Sequence, residues 1–136
     1  MGAVIGTCYL SMPSSGSFRE IGTLIANAIK EAGYAPVRLE DMAAVGRSVA
    51  DVTQQNLQGA NVVVADLTGA NPNIIYEVGF AHALRKPVLL LAQDLESTPA
   101  ALLQYLILKY DPQEPAKLRT AILGWFARAT ARGASR

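Results

Sequence analysis

Three nearly continuous apolar runs constrain this chain most. They are residues 4–10 (VIGTCYL), 61–67 (NVVVADL) and 87–92 (PVLLLA). Their apolar residues run on without alternating with polar ones, which suits strands buried on both faces, as in parallel sheets covered by helices. Helical patterns lie between them. Phe18, Ile21, Ile25, Ala28 and Ile29 recur at helical spacing, and Gly33 follows as a stop. Val49, Val52 and Leu57 predict a weaker helix ending near Gly59. Asn71-Pro72 is a helix start, with Asn as cap and Pro at the first helical position, and that helix runs to about Leu84. Shorter signals predict a strand at 37–39, a helical turn at 100–103 and a strand at 106–110. An amphipathic helix over about 117–132 carries Leu118, Ile122, Trp125 and Phe126, with a fraying tail beyond.

Strand alternating with helix means an α/β fold with a parallel sheet and helices on both faces. Five such units within 136 residues fit one domain, a flavodoxin-like doubly wound sheet of order 2-1-3-4-5. In that order the ligand crevice lies at the carboxyl ends of strands 1 and 3. The loop at 11–17 and the segment 66–73 are then expected to face each other there. Each precedes a helix N-terminus, which favours an anion.

Composition narrows the function classes. A formal charge of +1 gives no electrostatic footprint for nucleic acid. Cys8 is the single cysteine, which excludes a disulfide framework and a multi-cysteine metal site; as a strand residue it reads as inert core. No metal or cofactor is expected. No apolar run approaches the roughly 18 residues that span a bilayer, and the first cationic side chain is Arg19, so a cytoplasmic chain with no membrane partner is expected. The charged share of 17% is below the roughly 25% usual for globular domains. With six leucines and isoleucines between 95 and 108, this predicts a homodimer or larger homo-oligomer.

Two carboxylates draw attention. Asp66 ends the strongest strand, aimed at the crevice. Glu77 lies in the second turn of the following helix among Ile74, Ile75, Val78 and Ala81, so it is expected near the sheet. Gly79 and Ala83 are small enough to let the helix lie close. A favourable helix dipole or a local cap is the plain alternative for both acids. His82, and Arg128, Arg132 and Arg136 spaced by four, read as surface residues. A phospho-receiver domain is excluded, since Ser11-Met12-Pro13 stands where an acidic pair is needed. Flavin binding stays open on Ser14-Ser15-Gly16-Ser17 as a phosphate loop, although the 92–100 loop has no aromatic residue to cover a flavin.

The segment 65–84, with Asp66, Asn71-Pro72-Asn73 and Tyr76-Glu77-Val78-Gly79, followed by Lys86-Pro87, resembles a signature of the nucleoside 2-deoxyribosyltransferase-like superfamily. It is especially similar to the bacterial TIR-like branch. Tyr9-Leu10-Ser11-Met12-Pro13 is similar to the first strand and turn of that family, and the likeness spans nearly the whole chain. It implies cleavage or transfer at the N-glycosidic bond of a nucleoside, nucleotide or NAD-like substrate, or a nucleotide-binding signalling module using the same pocket. The resemblance implies Glu77 as nucleophile or oxocarbenium stabiliser and Asp66 as proton source for the leaving base. Tyr9, Ser11, Met12, Ser14, Gly16, Thr68 and Asn73 are the implied substrate-binding residues. The chain departs from the family pattern at Ser14, where an aromatic is usual, and Arg38-Leu39-Glu40-Asp41 matches the segment after strand 2 only loosely.

Overall fold

The structure is a computed structural model that describes residues 3–39 and 48–134, with side chains as far as 130. Glu40 and Asp41 therefore lie outside the described residues. Five parallel strands form one sheet in the order β2-β1-β3-β4-β5. They are β1 (Gly6–Ser11), β2 (Tyr34–Val37), β3 (Val62–Asp66), β4 (Val88–Ala92) and β5 (Ile107–Lys109). The helices are α1 (Arg19–Glu31), α2 (Val49–Gly59), α3 (Pro72–Ala83) and α4 (Pro115–Ala134), with short 3-10 turns at Gly16–Phe18 and Ala100–Leu102. This is the doubly wound flavodoxin-like arrangement that the alternating apolar runs predict.

Side-chain alternation along the strands builds two different cores. On one face Cys8, Leu10, Val62, Val64, Leu89 and Leu91 meet Ile21, Ile25 and Ile29 of α1 and Leu118, Ile122 and Phe126 of α4. On the other face Ala65, Leu90 and Ala92 meet Ile74 and Val78 of α3, and Tyr9 and Val63 meet Leu57 and Ala81. Cys8 is fully buried, and burial pushes its thiol well above the ordinary range, which keeps it an unreactive core group.

Several boundaries move. The first strand begins at Gly6 and leaves Val4 and Ile5 exposed. The second pairs through Tyr34–Val37, with Cys8 opposite Pro36, earlier than 37–39. Pro36 is tolerated because β2 is at the sheet edge, where a missing N–H breaks no ladder. Gly33 takes φ +100°, the left-handed turn that ends α1 and feeds this strand. The last helix runs to Ala134, and 135–136 lie outside the described residues. Gly79 and Ala83 face outward; the small residue that lets α3 approach the sheet is Ala81, which is fully buried. His82 stacks on Tyr105 with ring centroids 4.1 Å apart, and burial lowers its pKa, opposing the charged form expected near a helix end. Among the described residues no helix is long and apolar enough to cross a membrane.

Candidate functional site

Helix α3 is cut to place one acid on its apolar face. Asn71 accepts the Asn73 N–H through its side chain at 2.8 Å, and Pro72 follows as the first helical residue. With the start so fixed, Ile74, Glu77, Val78 and Ala81 fall on one stripe, and all four are buried. Glu77 thereby turns toward the sheet at the carboxyl end of β1.

Two hydroxyls from β1 hold it there. Tyr9 and Ser11 are two apart and so point to the same face. The Tyr9 hydroxyl donates to Glu77 Oε2 at 3.0 Å, and the Ser11 hydroxyl donates to Glu77 Oε1. Burial first, then the Glu77 charge, pushes the Tyr9 phenol above its ordinary range, so it stays a protonated donor. Thr53 of α2 hydrogen-bonds Tyr9 as well. Each carboxyl oxygen keeps a further lone-pair direction for a ligand.

A cavity of about 320 Å³ opens over this acid. Tyr9, Ser11, Met12, Ser14, Asn73 and Glu77 line it, together with Asn71, Ile74, Arg38, Leu39 and Leu10. The structure thus brings together Glu77 and five of the residues that the family resemblance implies for binding. Arg38 and Asn71 were not singled out for binding; the signal that Arg38 carried was its place in the segment Arg38-Leu39-Glu40-Asp41, which loosely matches the pattern after strand 2. Thr53 carried no signal, since nothing in its sequence neighbourhood marks it.

Asp66 does not join them. Ser11 pairs with Ala65 in the ladder, so Asp66, the next residue, points to the opposite face of the sheet from Glu77. It is fully buried and does not line the cavity. Its Oδ1 accepts from the Thr68 N–H at 3.0 Å and the Thr68 hydroxyl at 2.6 Å, and its Oδ2 accepts from the Tyr110 hydroxyl. Gln93 closes the network, donating its N–H to Thr68 Oγ1 at 3.0 Å and its side-chain amide to the Tyr110 oxygen at 3.2 Å. Burial raises the Asp66 pKa, against the lowering effect of these donors. The expected placement of Asp66 and Thr68 at the crevice is therefore corrected: Thr68 is turned back onto Asp66. Gly16 is corrected too. It opens a 3-10 turn and does not line the cavity, and a side chain there would meet nothing within 4 Å.

Losing the Tyr9 hydroxyl tests how far this positioning matters. A hydrogen bond to a carboxylate contributes roughly 1.5–3 kcal/mol, so Tyr9→Phe is expected to lower kcat about tenfold or more on a turned-over substrate. Steady-state kinetics check it, and an unchanged kcat contradicts it.

Fold and site together define a flavodoxin-like protein with a hydroxyl-clamped glutamate at the switch point of its sheet. No family model and no curated protein matches the sequence. Among solved structures, the chain is similar to a 2-deoxyribosyltransferase from Bacillus psychrosaccharolyticus, with 14% identity, a TM-score of 0.64, and 80% of this chain and 95% of that one covered. It is also similar to a CMP N-glycosidase from Clostridium botulinum, with 19% identity, a TM-score of 0.56, and 82% and 97% covered. A pilus assembly-related protein from Burkholderia pseudomallei matches with 19% identity, a TM-score of 0.51, and 89% and 90% covered. At these identities the likeness is one of fold.

Proposed function

We propose that this chain cleaves or transfers the N-glycosidic bond of a nucleoside, nucleotide or NAD-like substrate. The observation that carries the reading is Glu77, buried at the cavity floor with one hydroxyl donor on each carboxyl oxygen. The fold likeness to a 2-deoxyribosyltransferase and a CMP N-glycosidase supports it. The Tyr76-Glu77-Val78-Gly79 segment supports placing the chain near the TIR-like branch.

The chemistry follows from the geometry. Breaking the bond between C1′ and the base nitrogen builds positive charge on the sugar, which a close carboxylate neutralises or traps. In the trapping route a Glu77 oxygen bonds to C1′ as the C–N bond breaks. The electron pair leaves with the base, which takes a proton. Water or a second base then attacks C1′ and frees the carboxylate. Asp66 faces the other side of the sheet, so in this reading solvent entering the cavity supplies the proton.

Incubation with nucleosides, their 5′-monophosphates and NAD, with and without a second free base, tests the reading by chromatography. Released or exchanged base is the expected result. Binding of these compounds with no base released is the result a nucleotide-binding signalling module would give.

We also propose a homo-oligomer. Leu95, Leu103, Tyr105 and Leu106 are exposed, Leu106 at 73%. Helix α4 covers the opposite sheet face through Leu118, Ile122 and Phe126, so it does not shield them. Light scattering is expected to give a multiple of the 14.4 kDa chain mass. A 14.4 kDa species at every concentration contradicts it.

A further inference from the structure

We infer that Thr53 of α2 is a positioning residue for Glu77: its hydroxyl donates to the Tyr9 oxygen, and a directed chain from Thr53 through Tyr9 holds the Glu77 carboxylate in place. The inference rests on the proposed reaction and adds a third helix element to its support.

The direction of the chain follows from counting protons. A phenol has one proton to give. Tyr9 gives it to Glu77 Oε2 at 3.0 Å. In its hydrogen bond with Thr53 the phenol oxygen is therefore the acceptor, and the threonine hydroxyl is the donor. The effect on the phenol agrees. The Thr53 bond opposes the rise that burial and Glu77 cause, as a donor to that oxygen does.

Packing puts Thr53 where this bond requires it. Helix α2 starts at Ser48, whose side chain accepts the Asp51 N–H at 3.0 Å. From that start, Val52, Thr53 and Leu57 are its buried residues. Leu57 lies one turn beyond Thr53 on the same helix face, and it packs in one cluster with Tyr9, Val63 and Ala81. A threonine hydroxyl buried there without a partner would cost stability. The Tyr9 oxygen is the partner it has.

A phenol bonded only to Glu77 would follow the carboxylate as it moves. Bonded from both sides, it fixes the carboxylate instead, and each bond in such a chain polarises the next. Thr53 does not line the Glu77 cavity, so it acts through Tyr9 and not on the substrate. Two larger cavities, of about 630 Å³ between α1 and β2 and about 700 Å³ at the ends of β4 and β5, share no side chain with the chain of hydroxyls. Helix α2 has a second tie to α3: Gln54 Nε2 donates to the Tyr76 hydroxyl at 2.9 Å. That bond lies beside Glu77 in sequence but does not touch Tyr9. It therefore separates a general loosening of α2 from loss of the Thr53 donor.

Kinetics and one spectroscopic measurement test this. On a turned-over substrate, Thr53→Val is expected to lower kcat about threefold to tenfold with KM little changed, the pattern of an interaction acting in the transition state. Thr53→Ser keeps the hydroxyl and is expected to restore kcat, and Gln54→Ala is expected to leave it unchanged. In a Tyr9→Phe background, Thr53→Val is expected to cause no further loss. Proton NMR needs no substrate. The buried Tyr9 hydroxyl signal, identified by its absence from Tyr9→Phe, is expected to move upfield in Thr53→Val and Thr53→Ala and to stay in place in Thr53→Ser and Gln54→Ala. The inference is overturned if that signal does not move in the two variants that lack the hydroxyl. It is also overturned if Thr53→Val and Thr53→Ser lower kcat equally, if Gln54→Ala lowers it as much as Thr53→Val, or if Thr53→Val costs as much in the Tyr9→Phe background. A hydroxyl signal that moves as expected, without base release from any compound, would retain the chain of hydroxyls and reject the reaction.

Discussion

Glu77→Gln is expected to abolish base release while leaving the fold intact. The substitution keeps the side chain's size and a carbonyl acceptor for one of the Tyr9 and Ser11 hydroxyls, while the other can turn to accept from the amide NH2. It removes the negative charge and the nucleophilic oxygen together. A carboxyl group that faces developing charge at C1′ acts mainly in the transition state, so the loss falls on kcat/KM, by about 10³-fold or more, or roughly 4 kcal/mol. Folding is affected much less, because the amide fills the same space beside Ile74 and Val78. Base release and thermal unfolding of both proteins check this. A variant that turns over within tenfold of the wild type contradicts the role of Glu77.

Asp66→Ala is expected to have the largest effect on stability. Its carboxyl group accepts from the Thr68 N–H, the Thr68 hydroxyl and the Tyr110 hydroxyl in a fully buried position. Alanine leaves those donors without an acceptor, at a cost of about 3 kcal/mol. Asp66→Asn keeps the acceptor that Thr68 uses and is expected to cost less, about 1 kcal/mol. The two also differ in pH dependence. Burial raises the Asp66 pKa above its ordinary 3.8, so the folded state holds this proton more tightly than the unfolded chain. The stability this contributes is complete below pH 3.8 and is lost as pH rises through the folded value. Asp66→Asn has no such titration, so its stability is expected to fall less than that of the wild type over this range. Urea unfolding at several pH values measures both effects. An Asp66→Ala protein within 1 kcal/mol of the wild type would contradict the network's importance. A loss of activity matching that of Glu77→Gln, per folded molecule, would restore Asp66 to the chemistry.

The division between these two acids marks where sequence reading reached its limit. The order of the strands was legible because unbroken apolar runs between helical patterns allow few arrangements. The cap at Asn71-Pro72 was legible too, and it sets the register that turns Glu77 toward the sheet. The direction of Asp66 was not. A strand buried on both faces has no polar alternation, so Val62–Asp66 carries no mark of which residues point which way. Only the register with β1, Ser11 beside Ala65, settles it. The second strand lies three residues earlier than expected, at Tyr34–Val37, and includes Pro36, which an edge position allows. Thr53 reaches Tyr9 from another element, a long-range meeting with no local pattern.

The central claim is that the anomeric carbon of the substrate sits against Glu77. The crystal structure of Glu77→Gln with the nucleotide that releases most base in the wild type tests it most directly. The account predicts C1′ about 3–3.5 Å from the residue-77 side chain, the distance of a near-attack geometry, with the sugar between Ser11 and Asn73. A nucleotide seated instead in the cavity between α1 and β2, or at the ends of β4 and β5 beside Tyr110, would contradict it.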